Sequence, residues 1–418
     1  MSEDWENVIL LSADALRADH LSCYGYHRDT SPVLDELAEE SIRFTNAYSA
    51  SSHTREAVPA LLTGKYPDVA IDSKYHLESD TIASTLSEEG FATAGFHSNP
   101  FVSRAYGFDR GFDVFDDDLH LGQHKLIALA QRALDKFRNR HYARAEEINE
   151  RSLNWIDSLD DGESFFLWNH YMDTHGPYEP PREYATLYSD DGGKGKDVQS
   201  LYQRAIDDPD SVTEEERQLL IDLYDGEIRY NDKRIGEFLD ELREWDLLEN
   251  SLVIFTADHG DAFYEHGYYE HPRYLHDEIT HVPMLVRTPD GRSGEVDAPV
   301  STLDVRSTIE GEVGSSDGVS LFEEIDPERT VFSQARGEYE NEHLWRYAAR
   351  QQGEVCLCER HRETDEVEFT GDASRELRNE LEEHVQKRIR RMNGEELEAE
   401  DEADAEIERR LEALGYKE

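Results

Sequence analysis

Residues 251–267 read SLVIFTADHGDAFYEHG. Leu252, Val253, Ile254 and Phe255 make an apolar run rich in β-branching, the kind that a strand buried on both faces requires. The run then breaks into Asp258, His259, Gly260 and Asp261, with Glu265 and His266 close behind. Metal-ligating and acid/base groups therefore gather where a central strand ends. In open α/β sheets, ligands bind in the crevice at the carboxyl ends of the strands. Asp258 and His259 are accordingly read as holders of a catalytic metal.

Upstream, Asn7–Leu11 predicts a second buried strand, with Asp14 at its end. Ser31-Pro32 opens a helix, an N-cap with proline at the first helical position, ahead of Leu34, Leu37, Ala38 and Ile42 at helical spacing. Phe44–Tyr48 predicts a short strand, followed by hydroxyl-rich Ser49–Arg55. Ala57–Leu62 predicts a helix stopping at Thr63-Gly64, and Asp80 caps another that ends at Gly90. Phe91–Phe96 is the next strand, leading into His97, Ser98 and Asn99, and Arg110–Asp118 reads as loop. A helix over 142–159 precedes the strand Ser164–Trp168, which runs into Asn169, His170, Asp173 and His175. Tyr188–Ser211 reads as a surface excursion. The Thr213-x-x-Glu216 capping box then opens a long amphipathic helix leading to the strand at 252. Val282–Val286 is a further strand. Strands alternating with helices predict a doubly wound, mostly parallel α/β sheet. Beyond about residue 300, Trp345–Cys358 and Val367–Thr370 predict short, exposed antiparallel strands, and Leu377, Leu381, Val385 and Ile389 a charged helical tail whose last turn is Leu411–Leu414. The expected organisation is a catalytic unit at 1–300, an antiparallel subdomain at 301–372 and the tail at 373–418.

The 418 residues include 94 acidic and 43 basic, a formal charge of −51 spread along the chain. Such a surface repels polyanions, so nucleic acid and anionic membranes are not expected partners. It suits molar salt, where self-repulsion is screened within about 3 Å; a halophilic protein is expected. Cys23, Cys356 and Cys358 make no disulfide framework. The acidic start and the lack of an apolar run of about 18 residues predict a soluble, cytoplasmic protein with no membrane span. Oligomeric state carries no signal.

Four segments distant in sequence lie at predicted strand exits: Asp14; Ser51 to Arg55; His97 to Asn99 with Asp173-x-His175; and Asp258-His259. Asn7–Leu21 with Asp14, Arg17 and Asp19, then Leu61-Leu62-Thr63-Gly64-Lys65-Tyr66-Pro67, resemble the sulfatase family of the alkaline-phosphatase-like superfamily. Gly107–Phe112, Tyr171–Tyr178, Thr256–Asp261, Glu265-His266-Gly267 and Val282-Pro283 follow in the same order, and Leu411–Tyr416 is similar to sulfatase tails. The resemblance implies an alkaline-phosphatase-like fold and cleavage of a small anionic ester of sulfate, phosphate or phosphonate through a covalent intermediate. It implies one divalent metal held by Asp14, Asp258 and His259 together with the nucleophile's oxygen.

Sulfatases place Cys or Ser, converted to formylglycine, at the nucleophile position. Counting back from Gly64 in the family spacing, that position falls on Thr54, with Ser51 as the competing hydroxyl; formylglycine is not expected. Thr54, and His259 where sulfatases have Asn, point toward an unmodified phosphodiesterase or phosphotransferase as an alternative to a sulfatase. An alternative of another class is a non-catalytic scaffold that keeps the fold. Carboxylates with imidazole favour Mn²⁺ or Zn²⁺ over Ca²⁺ or Mg²⁺. By the resemblance, His175 binds the anion or protonates the leaving oxygen, Arg55 clamps an equatorial oxygen, and His97 and Asn99 lie on the substrate side. His266, His271, His276 and His281 recur every five residues, a period that no single helix or strand face accommodates. At most two are expected at the site, and His266 is the preferred one. Asp173 with His266 or His271 is a candidate second metal site.

Overall fold

The computed structural model describes residues 5–118, 142–189, 192–195, 197–311, 317–338, 341–351, 353–371 and 373–392. Its central strand is the run that begins at Asn7. Strands β1 (Asn7–Ala13), β2 (Ile42–Phe44), β3 (Ala92–Phe96), β4 (Val114–Asp116), β5 (Phe165–Tyr171), β6 (Ser251–Ala257), β7 (Met284–Arg287) and β8 (Gly294–Val296) form one sheet. Their order is β8-β2-β7-β6-β1-β5-β3-β4. β1, β5 and β6 are buried along their whole length, as continuous apolar runs require when helices cover both faces. β1 runs parallel to both neighbours, with Ala13 opposite Tyr171 and Ala257. All three strands therefore end level, and Asp14, Asp173 and Asp258 leave the sheet along one edge.

Helix α1 (Pro32–Glu39) starts after Ser31 as expected, but stops before Ile42, which begins β2. Helix α2 (Thr54–Thr63) starts three residues earlier than its apolar spacing suggests and ends on Gly64, whose φ of 60° is the left-handed C-cap that glycine tolerates. Thr81, rather than Asp80, caps helix α3 (Ile82–Glu88). Helix α4 (Ala145–Ile156) lies inside the expected 142–159 span. The excursion after Tyr188 contains helix α5 (Val198–Asp207), capped by Asp197. Helix α6 (Glu214–Glu244) carries the Thr213–Glu216 capping box on both of its hydrogen bonds. The expected strand at Phe44–Tyr48 divides between β2 and the pair Ala47–Tyr48, and the expected loop at Arg110–Asp118 contains the edge strand β4. β7 runs antiparallel to β6. No helix among the described residues is long and apolar enough to cross a membrane.

Helix α7 (Asp304–Glu310) still belongs to the large core, through Val305 and Ile309. After it, β9 (Val331–Arg336), β10 (Leu344–Gln351), β11 (Glu354–His361) and β12 (Val367–Thr370) form an antiparallel sheet in chain order. This sheet is not exposed as expected. Helix α8 (Arg375–Met392) lays Leu377, Leu381, Val385 and Ile389 onto Trp345, Tyr347, Cys356 and Cys358. The charged tail thus uses its apolar stripe as a cover; Leu411–Leu414 lies outside the described residues.

His384 joins this helix to the main body. Its ring stacks on Phe332 at 4.2 Å and meets Tyr66 edge-on at 4.8 Å. Burial, reinforced by Arg388 and Lys387, pushes its pKa down to about 3. The unfolded chain therefore binds the proton that the folded chain refuses. Stability from this group is complete above pH ~6.5 and falls by about 1.4 kcal/mol per unit as pH drops below it. Replacing His384→Phe is expected to flatten the fall of the urea midpoint between pH 7 and pH 5 in molar salt. Equal slopes in variant and wild type would contradict this.

Candidate active site

Asp14 follows β1, and Asp258 and His259 follow β6. The three present ligand-type atoms within 4.8 Å of one another, all fully buried. His259 Nε2 lies 3.7 Å from Asp14 Oδ1 and 3.5 Å from Asp258 Oδ2. Its Nδ1 donates to Gly260 O at 2.9 Å, which assigns the lone pair to Nε2 and aims it at the carboxylates. Asp258 Oδ1 accepts from the backbone N–H groups of Ala15 (3.2 Å) and His259 (2.8 Å). Asp14 Oδ2 accepts from Asn99 Nδ2 at 2.6 Å, with His170 Nε2 at 3.2 Å and Thr54 Oγ1 at 3.4 Å. The other oxygens, Asp14 Oδ1 and Asp258 Oδ2, are buried without a hydrogen-bond partner. Two orphaned carboxylate oxygens and an imidazole lone pair facing one point fit a divalent cation.

Electrostatics agree with that fit. Burial opposes charge on Asp14, but the fields of His175, His170 and His259 and the His170 hydrogen bond outweigh it and hold its carboxyl well below the usual range. Asp258 is pushed up, by burial first and then by the charge of Asp14. Two carboxylates this close resist ionising together until a cation joins them. Backbone strain marks the same point: Ala15 holds φ at 56° while its N–H serves Asp258 and its carbonyl accepts from Tyr224 Oη.

The nucleophile candidates separate cleanly. Thr54 is the first residue of α2, and its Oγ1 lies 3.2 Å from His259 Nε2 and 3.4 Å from Asp14 Oδ2. The helix N-terminus adds positive potential there. Ser51 instead turns its hydroxyl to Glu56 at 3.0 Å, in a cluster with Arg273 and Arg336. Arg55 stacks on Phe101 (4.2 Å) and Tyr75 (5.0 Å) and forms no ion pair among the described residues, although the chain carries 94 acids.

A wall of imidazoles stands beside Asp14, Asp258 and His259. His271 lies 4.3 Å from the ring of His259, 5.2 Å from that of His175 and 5.4 Å from that of His53. Its Nδ1 is 3.4 Å from Asp261 Oδ1, while Tyr178 Oη donates to the other oxygen of Asp261. Burial, then His259, His175 and Arg273, push the His271 pKa well down. Burial raises Asp261 to about 6 against the opposing bond from Tyr178.

Several expected partners are placed elsewhere. His97, expected on the substrate side, packs between Phe115 and Trp168 and accepts from the Asn99 N–H, where it steadies Asn99. Asp173 is held by Arg144 Nε (2.9 Å) and Ala145 N (2.9 Å), not by a histidine. His266 stacks on His276 and faces Glu278, and His281 Nε2 pairs with Thr45 O. His271, rather than His266, reaches the site. The five-residue period misleads because Glu270 (φ 66°) and Arg273 (φ 55°) take the left-handed region, so the segment has no constant period. The strand expected to end at Trp168 continues to Tyr171, so His170 is not a strand-exit residue. It lies within β5, opposite Ser12 in β1. Trp168 Nε1 donates to Ser12 Oγ at 3.0 Å, and Ser12 Oγ lies 2.9 Å from His170 Nδ1, so this relay directs His170 Nε2 at Asp14. Pairing β1 with β5 in register would have revealed it.

The sulfatase family profile matches residues 6–314. The chain belongs to the sulfatase family. Membership makes it a hydrolase of the sulfatase type, and the mixed sheet with its separate antiparallel sheet is a fold shared with a solved alkaline-phosphatase-superfamily protein of Vibrio parahaemolyticus (TM-score 0.62, 16% identity, covering 94% of this chain and 88% of that one). The chain is 25% identical over 339 residues to an uncharacterised sulfatase, YidJ, of Escherichia coli, covering 72% of this chain and 67% of that one. It is 24% identical over 366 residues to an arylsulfatase of Clostridium perfringens, covering 72% and 74%. Among solved structures it superposes on the phosphonate monoester hydrolase of Silicibacter pomeroyi with a TM-score of 0.66 at 19% identity, covering 93% of this chain and 96% of that one. This last likeness concerns the fold.

If a cation relieves the carboxylate pair, Asp258→Asn should melt higher than wild type when both are metal-free, because the repulsion is gone. Saturating Mn²⁺ should then raise the wild type, by about 2.7 kcal/mol at a hundredfold excess over Kd, and leave the variant nearly unmoved. Thermal melts with chelator and with Mn²⁺ measure both effects. A metal-free variant less stable than wild type would contradict the electrostatic reading.

Proposed function

We propose that this sulfatase-family hydrolase uses Thr54, unmodified, to cleave a phosphodiester or phosphonate monoester through a covalent threonine intermediate. The observation that carries the reading is the Thr54 hydroxyl at the start of α2, within reach of Asp14 and His259, while Ser51 faces Glu56. A divalent cation held by Asp14, Asp258 and His259 would lower the pKa of the attacking hydroxyl and neutralise charge on the transferred group. This donor set favours Mn²⁺ or Zn²⁺. With His259 Nε2 committed to the cation, Asp14 Oδ2 is the remaining acceptor for the Thr54 proton. Attack forms the Oγ–P bond and expels the ester alcohol. His175, on the facing wall, is the group placed to protonate it. Water then attacks phosphorus and restores Thr54. Arg55 supplies a cation for the equatorial oxygens, next to Thr54 in the chain.

Phosphorus is favoured over sulfur by the nucleophile itself: the resemblance gives sulfatases a formylglycine made from Cys or Ser, and position 54 is a threonine. Asn99 and His170 are assigned to orienting Asp14. The residues named all precede residue 300, which supports placing catalysis in the 1–300 unit. The dispersed −51 charge supports work in a high-salt cytoplasm.

Thr54→Ala should lower kcat on aryl phosphonate or phosphodiester substrates by at least ~10³-fold, the scale for removing a covalent nucleophile. Ser51→Ala should stay within a few-fold of wild type. Peptide mass spectrometry should find residue 51 as serine and, after rapid acid quench, phosphorus on Thr54. Formylglycine at residue 51, or turnover that survives loss of Thr54, would overturn the assignment.

A further inference from the structure

We propose that His266, His276 and Glu278 form a second metal site, for a zinc-class divalent cation, separate from the catalytic group. The inference stands on side chains that the catalytic reading does not use, so it is independent of that reading. His266 Nε2 is 3.5 Å and His276 Nδ1 3.9 Å from the same oxygen, Glu278 Oε1, and each of the three residues offers one ligand-type atom within 4.8 Å of the others. Around a tetrahedral zinc, with bonds of about 2.0–2.2 Å, ligand atoms stand roughly 3.4 Å apart. The cluster is therefore close to coordination spacing and too open for a direct His266–Glu278 hydrogen bond. Tyr268 Oη hydrogen-bonds to both His276 Nδ1 (2.6 Å) and Glu278 Oε1 (3.1 Å), so a cation taking these atoms displaces the phenol.

Its construction is specific. The two imidazoles are ten residues apart in sequence yet stack at 3.8 Å with planes 22° apart. The turns at Glu270 and Arg273 bring them together. Glu278 is buried and His276 half-buried, while His266 is 48% exposed, which leaves one side open to solvent ligands. The nearest arginines are already engaged: Arg350 with Asp277 and the Leu275 carbonyl, and Arg346 with Glu359. Two neutral imidazoles and one carboxylate are an accepted zinc ligand set.

The site also has mechanical leverage on the catalytic loop. Gly260 N donates to Ile279 O at 2.6 Å, immediately after Glu278. A Cβ at Gly260 would come within 2.2 Å of Glu278 O, so only glycine permits the contact. At the other end, Arg17 bridges Glu265, beside His266, and the carbonyl of Asp261. A cation joining His266 to His276 and Glu278 closes the base of the segment that carries His271.

The test is zinc stoichiometry on the untagged full chain. The protein is stripped, then equilibrated with Zn²⁺ against a competing chelator strong enough to keep surface carboxylates empty. Two equivalents are expected for wild type, one for Asp258→Asn, and one for the His266→Ala/His276→Ala double variant. Glu278→Gln, which preserves side-chain shape, should weaken the second equivalent at least tenfold in the same competition. A single equivalent in wild type that Asp258→Asn abolishes, two equivalents in the double variant, or unchanged second-site affinity in Glu278→Gln would each overturn the proposal.

Discussion

The enforced proximity of Asp14 and Asp258 is the constraint on which the rest of the structure depends. An unpaired buried carboxylate costs several kcal/mol even after relaxation, and here two share one fully buried point. The parallel register of β1, β5 and β6 sets their separation, since the three strands end level and the next residues converge. Around the pair, donors are shared unequally. Asn99, His170 and Thr54 crowd one oxygen of Asp14, backbone N–H groups take one oxygen of Asp258, and one oxygen on each is left bare. That asymmetry fits a cation site better than an ordinary hydrogen-bonded pair.

The interior and the surface have opposite electrostatic characters. A chain with a formal charge of −51 repels an anionic substrate at long range, and high salt shortens that repulsion. Close to Thr54 the balance reverses. Arg55 has no ion-pair partner among the described residues, α2 presents its N-terminus, and His53, His175 and His271 line the approach to His259. Buried imidazoles serve better than lysines here, because burial holds His271 and His53 neutral until an anion brings in compensating charge.

Much of this was legible in the sequence because it follows from strand ends. Asp14, Asp258 and His259 follow recognisable strands, Thr54 follows from the family spacing back from Gly64 rather than from a visible helix start, and the structure brings all four together. Other features depend on relations that a linear reading lacks. His170 acts from within a strand, through its cross-strand partner Ser12. His271 reaches the site only because two left-handed residues redirect the segment around it. The same turns move His266 to a different cluster. Asp173 is claimed by Arg144, a pairing across 29 residues that no local pattern announces. The direction of β7 and the short edge strand β4 likewise rest on tertiary pairing, since four- and three-residue runs carry little periodic signal.

A crystal of the chain loaded with Mn²⁺, measured at the manganese absorption edge, tests the central claim most directly. The expected result is a strong anomalous peak at bonding distance from Asp14 Oδ1, Asp258 Oδ2 and His259 Nε2, with the Thr54 hydroxyl oriented toward it. No peak among these atoms, or a peak there with Thr54 turned away and Ser51 turned in, would contradict the reading.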